Sequence, residues 1–361
     1  MALEELVGTV VRFDLGQVEA FVADTLVAGG VAPDKAQVAA SHLLLADLRG
    51  VESHGVARLP GYVARLKAGL IDPQAEVTVV HELASTLALD AHNGLGLLAG
   101  QDAMGRTIAK AEESGICMTT VRNSNHFGIA GAYAVMAAER GLGGMAMTNA
   151  SRLVVPTFAS GPMLGTNPIA FAVPVRGARP LIVDMSTSTV AWGKIEIARR
   201  AGIPIPAGWA VDADGAPTTD PSAVKGLTPL GGDRTMSGHK GYGLGLMVDI
   251  LCAVLAGSSW SWDIGRTTEL SYSGGIGHFF LAWRIDAFRD PEEFADQMDK
   301  VIGEIRAMKV ADGAPSNRVL VPGDPEMEAE AENLRLGVPI RTEVLAELAV
   351  MANEIGIPPL A

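Results

Sequence analysis

The chain has 361 residues, of which 48% are hydrophobic, so it is long enough for two or three packed units and too apolar for a disordered protein. Its 28 Lys and Arg residues against 41 Asp and Glu residues give a formal charge of −13. Because an acidic chain repels phosphate backbones and anionic lipid surfaces, we expect neither nucleic acid nor a membrane among its partners. An anionic ligand would need a local pocket of Arg, Lys or His side chains.

The two cysteines predict neither a disulfide nor a zinc site. Cys117 and Cys252 each lie within an apolar run, which is typical of buried thiols. No H-E-x-x-H or C-x-x-C spacing occurs, so no metal is expected. The first residues, MALEELVGTVVRFD, lack the cationic start of a signal peptide, and no uninterrupted apolar segment reaches about 18 residues. We therefore expect a cytoplasmic protein without a membrane anchor.

The first 75 residues predict a mainly helical unit, because apolar residues recur there at helical spacing. The predicted elements are a strand within 7–13, a helix through 17–29 capped by Asp14, a helix through 35–50 opened by Asp34, and a helical turn, a break at Pro60 and a short helix within 53–69.

Residues 76–310 then follow an α/β rhythm, and residues 311–361 are expected to pack back on the core. Strands are predicted at 77–80, 85–90, 116–122, 143–149, 168–175, 180–186 and 277–285, and helices at 93–115, 128–141, 189–202, 241–257 and 291–308. The stretch 204–224 is rich in Gly, Pro and Asp and predicts a loop over a site. The alternation of the elements predicts an α/β protein.

A glycine-rich segment follows the second strand of this region. Gly94, Gly96 and Ala99 match the dinucleotide-binding pattern G-x-G-x-x-A. The acids downstream, Glu112 and Glu113, lie in a predicted helix and not at the end of a second strand, and glycine is abundant in this chain, with 42 residues. We therefore interpret the segment as a structural turn.

The sequence Ser53-His54-Gly-x-x-Arg58 places a hydroxyl, an imidazole and a guanidinium within six residues. Histidine transfers protons near neutral pH, and arginine binds a carboxylate through two parallel hydrogen bonds, so a 2-oxo acid can meet both groups at once. Taken alone, the segment is explained more simply by a capping serine, a surface histidine and a solvent-exposed arginine.

Four further segments place polar groups at the ends of predicted elements. Residues 123–128 and 184–188 follow strands, 164–168 precede a strand, and 237–243 open a helix with His and Lys at its positive end. Free backbone N–H groups and hydroxyls at such ends bind phosphate and ribose, although helix caps and turns explain the first three equally well. A lysine at a helix N-terminus opposes the helix dipole, which favours an anion-binding role for the fourth.

Six blocks, taken together and in this order, resemble the malate/L-lactate dehydrogenase-like family: SHGVARLPGYV, RNSNHFG, LGTNPIAFAVP, VDMSTSTVAWGKIEIA, SGHKGYGLGLMVDIL and VLVPGDPE. The resemblance covers nearly the whole chain. It implies a mixed central sheet with flanking helices, a non-Rossmann dinucleotide site, and homodimers with active sites near the subunit interface. We expect NAD or NADP as the cofactor, with NAD favoured, and a small carboxylate as the substrate.

The resemblance also implies roles for single residues. His54 becomes the proton donor and acceptor, Ser53 its hydrogen-bond partner, and Arg58 the clamp for the substrate carboxylate. His126 is catalytic in some relatives and lies in the cofactor stretch in others, so both roles stay open. The implied cofactor contacts are His126, Phe127, Gly128, Ile129, Ala130, Asn149, Ser151, Asp184, Met185, Ser186, His239, Lys240, Gly241, Pro322 and Gly323.

One position separates the substrate classes of the family. Cyclic imino acid reductases resemble the pattern A-R-G-D, in which the acid joins a relay with Ser and His, whereas this chain has Ala191-Trp192-Gly193-Lys194. Because lysine cannot act as that carboxylate, the sequence predicts hydride transfer to or from a 2-hydroxy or 2-oxo acid such as malate or lactate. Reduction of piperideine- or pyrroline-2-carboxylate is the alternative, and a non-catalytic small-molecule binding protein is a further one.

Overall fold

The order of strands and helices predicted up to residue 308 is found in the structure, a computed structural model that describes residues 9–265, 270 and 274–360. The strands are β1 (Val10–Phe13), β2 (Thr78–Leu83), β3 (Thr86–Asp90), β4 (Ile116–Ser124), β5 (Leu142–Thr148), β6 (Ile169–Val173), β7 (Leu181–Met185), β8 (Ala210–Val211), β9 (Pro217–Thr218), β10 (Gly226–Leu227), β11 (Ile276–Arg284) and β12 (Val338–Arg341). The helices are α1 (Leu15–Ala28), α2 (Pro33–Leu48), α3 (Leu59–Lys67), α4 (Gly96–Ser114), α5 (Gly131–Glu139), α6 (Trp192–Ala201), α7 (His239–Asp249), α8 (Pro291–Arg306), α9 (Asp324–Leu336) and α10 (Thr342–Ile355).

Seven of these strands form one mixed sheet in the order β2-β3-β4-β11-β5-β6-β7. β3 and β4 run parallel, and the other neighbouring pairs are antiparallel. Side chains alternate along β11, so that Phe280 packs into the cluster beneath α4 and α5, whereas Phe279 packs with Val248 and Cys252 on the opposite face. Helices therefore cover both faces, which confirms the predicted mixed sheet with flanking helices.

The two ends of the chain meet in a mainly helical unit. β1 pairs antiparallel with β12, and α1, α2, α3 and α10 share a core that contains Val22, Leu43, Leu59 and Leu348. The segment between α2 and α3, which carries the histidine and arginine singled out above, is held by this core on both sides.

The prediction of a loop over 204–224 was wrong in part. The stretch contains β8 and β9, which form a three-stranded sheet with β10 in the order β10-β8-β9. The sheet packs with α6 on an apolar cluster that includes Ile195, Ala210 and Leu227. Strands of two residues carry too little alternation to be recognised in a sequence.

Two helix starts were predicted from aspartate residues, and one of these two is confirmed. The Asp14 carboxylate accepts a hydrogen bond from the Gln17 N–H at 3.2 Å and caps α1. The prediction for Asp34 was wrong, because α2 begins at Pro33 with Ala32 in the capping position. Proline suits the first helical position, since its missing N–H would have no partner there, and Asp34 lies in the first turn.

The helix predicted over 241–257 is interrupted. α7 ends at Asp249, and a single π-helical turn, Ile250–Val254, follows it. There β11 approaches so closely that a Cβ on Gly277 would lie 1.6 Å from the carbonyl oxygen of Cys252. Hydrophobic periodicity does not reveal such a turn. In the described ranges, no helix is long and apolar enough to cross a membrane.

Candidate functional site

Segment 52–58 forms two short 3-10 turns that rest on a buried carboxylate of α2. The Val56 N–H donates to Asp47 Oδ2 at 2.8 Å. A Cβ on Gly55 would lie 2.0 Å from Asp47 Oδ1, so glycine is required for the turn to approach this carboxylate. Burial raises the pKa of Asp47 well above its usual range.

Ser53, His54 and Arg58 converge on this segment. The Ser53 Oγ lies 2.9 Å from His54 Nδ1, and Arg58 Nε donates to the Ser53 carbonyl at 2.6 Å. Among the described residues, Arg58 makes this hydrogen bond through Nε and none through its two Nη groups. The Nη groups can therefore bind a carboxylate. Burial, followed by the nearby charge of Arg58, lowers the pKa of His54 to about 4. The imidazole is therefore neutral at neutral pH.

The loop that carries His126 is fixed from the side of α4. The Asn125 side chain donates to the Gly94 carbonyl at 2.9 Å. A Cβ on Gly96 would lie 2.1 Å from the Asn125 carbonyl oxygen, so the loop backbone fills the space that a phosphate would need. This packing accounts for the glycine-rich segment as a structural turn.

His126 meets His54 from the opposite side of the site. The two rings stack with their centroids 5.4 Å apart and an interplanar angle of 27°. On its other side, His126 Nδ1 lies 2.7 Å from the Tyr62 hydroxyl and accepts a longer hydrogen bond of 3.4 Å from the Gly128 N–H. Burial lowers the pKa of His126 well below its ordinary value, and electrostatic interaction with His54 and Arg58 acts in the same direction.

Phe127 anchors the same loop in the core. Its ring stacks parallel to that of His278, with centroids 4.5 Å apart. The His278 ring nitrogens lie 2.8 Å from the Thr148 hydroxyl and 2.7 Å from the Ser124 hydroxyl. Burial lowers the pKa of His278 to about 3, so a neutral imidazole supports the loop from below.

A second group of predicted residues lies at the end of β7. Asp184 Oδ2 accepts a hydrogen bond of 2.7 Å from the Gly131 N–H at the start of α5. Asp184, Pro322, Gly323 and Glu326 are among the residues that line a cavity of about 340 Å³. Burial and the nearby Glu326 raise the pKa of Asp184 to about 6, in spite of the hydrogen bond from Gly131.

The third group opens α7. A Cβ on Gly241 would lie 2.3 Å from the Leu230 carbonyl oxygen, and the Leu230 N–H donates to Thr187 beyond the end of β7. This contact ties the start of α7 to the strand that carries Asp184. His239 Nδ1 is buried and has no hydrogen-bond partner among the described residues, and Lys240 is exposed.

The Asn149 side chain is fully engaged inside the protein. Its Nδ2 donates to Asp249 Oδ1 at 2.9 Å and to the Ser259 carbonyl at 2.8 Å, and its Oδ1 accepts from the Gly277 N–H at 3.0 Å. Through these three bonds, the Asn149 side chain positions the turn that leads to Ser151. Ser151 itself is partly exposed.

The start of α6 lies beside the segment 52–58. A Cβ on Gly193 would lie 3.9 Å from the Ser53 Cβ, and Lys194 follows as an exposed residue. The position that the resemblance links to the substrate class is therefore adjacent to Ser53.

The structure brings Ser53, His54, Arg58 and His126 into one cluster and Asp184, Pro322 and Gly323 around one cavity. Met185 and Ser186 follow Asp184 at the end of β7 and beyond it. Among the implied cofactor contacts, the side chains that face the core are Phe127, Ile129, Ala130 and Asn149.

Two residues of the site were missed in the sequence. Tyr62 lies within the SHGVARLPGYV block, but a tyrosine on a short amphipathic helix is usually a core residue. Asp47 lies within a predicted helix and gives no local signal, because its contact with Val56 arises only when α2 packs below the turn.

Comparisons with known proteins identify the family of the chain. The family model for malate/L-lactate dehydrogenase matches residues 13–349. A malate dehydrogenase of Pyrococcus abyssi is 42% identical over 352 residues, which cover 96% of each chain. A Δ1-pyrroline-2-carboxylate/Δ1-piperideine-2-carboxylate reductase of Pseudomonas putida is 39% identical over 258 residues, which are 71% of this chain and 74% of that protein.

The fold gives the same result. The solved structure of malate dehydrogenase from Pyrococcus horikoshii OT3 matches with a TM-score of 0.88 and 38% sequence identity, and the match covers 97% of each chain. By its sequence and its fold, the chain belongs to the malate/L-lactate dehydrogenase family of oxidoreductases.

Proposed function

We propose that this chain is an NAD(P)-dependent dehydrogenase that interconverts a small 2-hydroxy acid and its 2-oxo acid, with malate as the first candidate. The observation that carries the proposal is the single segment on which His54 and the free end of Arg58 lie together, with His126 stacked on His54. The similarity to the malate dehydrogenase of Pyrococcus abyssi supports malate.

Each group of this segment has a distinct task. Arg58 binds the substrate carboxylate through its Nη groups, which places the C2 hydroxyl near the imidazole carried by the same turn. His54, neutral in the free protein because of its lowered pKa, accepts the proton of that hydroxyl. When bound, the dinucleotide supplies the hydride acceptor for oxidation or the hydride donor for reduction.

The cavity beside β7 suits the ribose end of a dinucleotide. Asp184 offers a carboxylate that ribose hydroxyls can donate to, and Pro322 gives an apolar wall. His239 Nδ1, for which the described part of the chain offers no hydrogen-bond partner, and the cation of Lys240 lie at the start of α7, where a phosphate would bind. Asp184 and Glu326 would repel the additional 2′-phosphate of NADP, so we propose NAD as the preferred cofactor.

Cofactor preference can be measured by absorbance with each dinucleotide. We expect a higher kcat/KM with NAD than with NADP. In Asp184→Asn and Asp184→Ser, we expect kcat/KM to fall with NAD and to rise with NADP, so that the two values approach each other. Asp184→Asn keeps a hydrogen-bond acceptor for the Gly131 N–H and removes the charge. If the ratio of kcat/KM with NAD to kcat/KM with NADP is unchanged in both variants, Asp184 does not select the cofactor.

Reduction of a cyclic imino acid is the alternative, supported by the similarity to the Pseudomonas putida reductase. That reaction is disfavoured because Lys194 occupies the position at which the family's imino acid reductases have a carboxylate. Parallel assays of malate, lactate, ureidoglycolate, sulfolactate and the two cyclic imines, each with NAD(H) and NADP(H), separate the substrate classes. A protein that binds a dinucleotide but turns over no member of this panel would instead support a non-catalytic binding protein.

The His54→Ala variant tests the proposed chemistry. We expect it to keep its fold by circular dichroism and its dinucleotide affinity by fluorescence titration, while kcat/KM falls about 10²–10⁴-fold because the positioned proton acceptor is lost. Near-normal turnover in this variant would show that His54 does not transfer the proton.

We further propose that the chain forms a homodimer through an apolar stripe that begins in the last turns of α7 and continues beyond its end. The stripe consists of Leu246, Met247, Ile250, Val254 and Leu255, which are 38%, 39%, 47%, 72% and 53% exposed. Monomeric proteins rarely expose a contiguous apolar surface of this kind. Because the stripe includes residues of α7, the helix whose start is the proposed phosphate site, such a dimer would bring that part of the proposed cofactor site near the subunit interface.

We also propose a cytoplasmic location. Cys117 and Cys252 are both free thiols and both are buried. Free thiols are typical of proteins from a reducing compartment.

A further inference from the structure

Two neutral histidines stack in the site, but their hydrogen bonds differ. We propose that Tyr62 and the backbone N–H of Gly128 hold His126 in the Nε2–H form, as a fixed hydrogen-bond donor, and that His54 alone takes the substrate proton. Tyr62 is then a positioning residue that acts through His126. This inference rests on the proposed function, because it divides the tasks of the two histidines in that reaction.

The backbone amide of Gly128 decides the form of His126. An amide N–H can only donate, and it is directed at His126 Nδ1 over 3.4 Å. Nδ1 therefore carries a lone pair and no proton. The Tyr62 hydroxyl, 2.7 Å from the same nitrogen, then donates to it as well. A neutral imidazole with an unprotonated Nδ1 carries its hydrogen on Nε2.

This form makes His126 unable to accept a proton from a ligand. Nε2 lies on the side of the ring away from Nδ1 and its two donors, and an N–H there has no lone pair to offer. A second proton would have to bind Nδ1 and displace both Tyr62 and Gly128. The His126 Nε2–H can instead donate to the C2 oxygen of the substrate and orient it.

His54 has the opposite hydrogen-bonding pattern. Its Nδ1 partner is the Ser53 hydroxyl, at 2.9 Å, and a hydroxyl both donates and accepts. With Nδ1–H donating to Ser53, Nε2 is free to accept. The proton of the C2 hydroxyl moves to His54 Nε2, and the O–H electron pair becomes the second C2–O bond as the hydride leaves C2 for the dinucleotide named in the proposed function.

The stacking of the rings supports this division. Two imidazolium ions with ring centroids 5.4 Å apart would repel each other in a buried site. His54 can therefore become charged only while His126 stays neutral, and the two donors on Nδ1 keep His126 neutral.

Replacing each histidine by glutamine or asparagine tests the proposal by kinetics, because each amide side chain reproduces one ring nitrogen. Glutamine places its NH₂ group near the position of Nε2, and asparagine places it near Nδ1. We expect His126→Gln to retain kcat/KM within about 10-fold of wild type, since it keeps the donor, and His126→Asn and His126→Ala to lose about 100-fold. His54→Gln should lose as much as His54→Ala, because an amide cannot transfer the proton.

The ring nitrogens can also be observed without turnover, by ¹⁵N NMR of the full chain with labelled histidine. The His126 signals are assigned by their absence in His126→Gln, and we expect an unprotonated Nδ1 and a protonated Nε2. Tyr62→Phe should raise the population with a protonated Nδ1 and lower kcat more than substrate affinity. Ser53→Ala is the matched control, which should change the His54 signals and not those of His126.

Two results would overturn the assignment. One is a protonated His126 Nδ1 in the wild-type protein. The other is a His54→Gln variant that retains turnover while His126→Gln is as inactive as His126→Ala, which would exchange the roles. Absence of turnover with every 2-hydroxy acid would contradict the proposed function, but the NMR measurement would still confirm or refute the form of His126.

Discussion

Arg58 combines two hydrogen-bonding tasks that a lysine cannot combine. Nε donates to the Ser53 carbonyl at 2.6 Å, and in the proposed function the two Nη groups bind the substrate carboxylate. The ammonium group of Arg58→Lys could serve one task at a time as a point charge. We expect KM for the hydroxy acid to rise about 10–100-fold, the value of one charge-assisted hydrogen bond, with unchanged dinucleotide affinity. Steady-state kinetics and a cofactor titration measure both, and a wild-type KM would remove Arg58 from the substrate site.

The lowered pKa of His54 sets the direction of the pH dependence. Oxidation requires the neutral imidazole, so kcat/KM for the hydroxy acid should be level near neutral pH and fall as the pH drops toward about 4. Reduction requires the protonated ring, so kcat/KM for the 2-oxo acid should fall as the pH rises above that value. Initial rates in both directions provide the test. An inflection near 6.5 in both profiles would mean that burial does not shift this group.

His278 predicts a loss of stability in acid. Its pKa is lowered from 6.5 to about 3 in the folded protein, so the unfolded chain binds the proton first and stability falls as the pH drops through this interval. Between pH 7.5 and 5, this residue accounts for about 2 kcal/mol of lost unfolding free energy. Urea denaturation of the wild-type protein and of His278→Gln at both pH values measures this loss of unfolding free energy. An equal loss in the two proteins would show that His278 does not contribute.

At the scale of the elements, the start of α4 controls the position of the His126 loop. In Gly96→Ala, the new methyl group would lie 2.1 Å from the Asn125 carbonyl oxygen, and overpacking of this kind costs about 1–3 kcal/mol. We expect lower stability together with lower kcat, because the displaced loop carries His126.

Gly105→Ala on the same helix is the matched control. A Cβ there meets nothing within 4 Å, so the substitution should stabilise α4 by about 0.5–1 kcal/mol and leave kcat unchanged. Chemical denaturation and kinetics of both variants compare a crowded with an open glycine. Equal effects of the two substitutions would refute the role of the Gly96 contact.

At the scale of the whole molecule, the apolar stripe predicts the oligomeric state. Val254 is 72% exposed in the single chain, so Val254→Asp should cost little within a monomer but should disrupt a dimer formed through the stripe. Light scattering should give a dimeric mass for wild type and a monomeric mass for this variant. Val350→Asp, at a residue of α10 that is 59% exposed, is the control and should remain dimeric. A monomeric wild-type protein would exclude the dimer. A dimer in both variants would place the interface elsewhere on the surface.

Most of the element order could be predicted from the sequence, because it depends on neighbouring residues. The period of the apolar positions separated strands from helices, and Asp14 marked a helix start. The prediction failed where local signals are weak or absent. The two-residue strands β8 to β10 and the π turn after Asp249 follow from packing against other segments.

The site divides in the same way. The sequence by itself determined that Ser53, His54 and Arg58 share one short segment, because six consecutive residues cannot lie far apart. It also identified the family, through six blocks in a fixed order. Only the tertiary structure decided that His126 stacks on His54 and that Tyr62, 64 positions before His126, bonds to its Nδ1. Contacts over such separations depend on how the helical unit packs against the sheet, and a local pattern does not encode that packing.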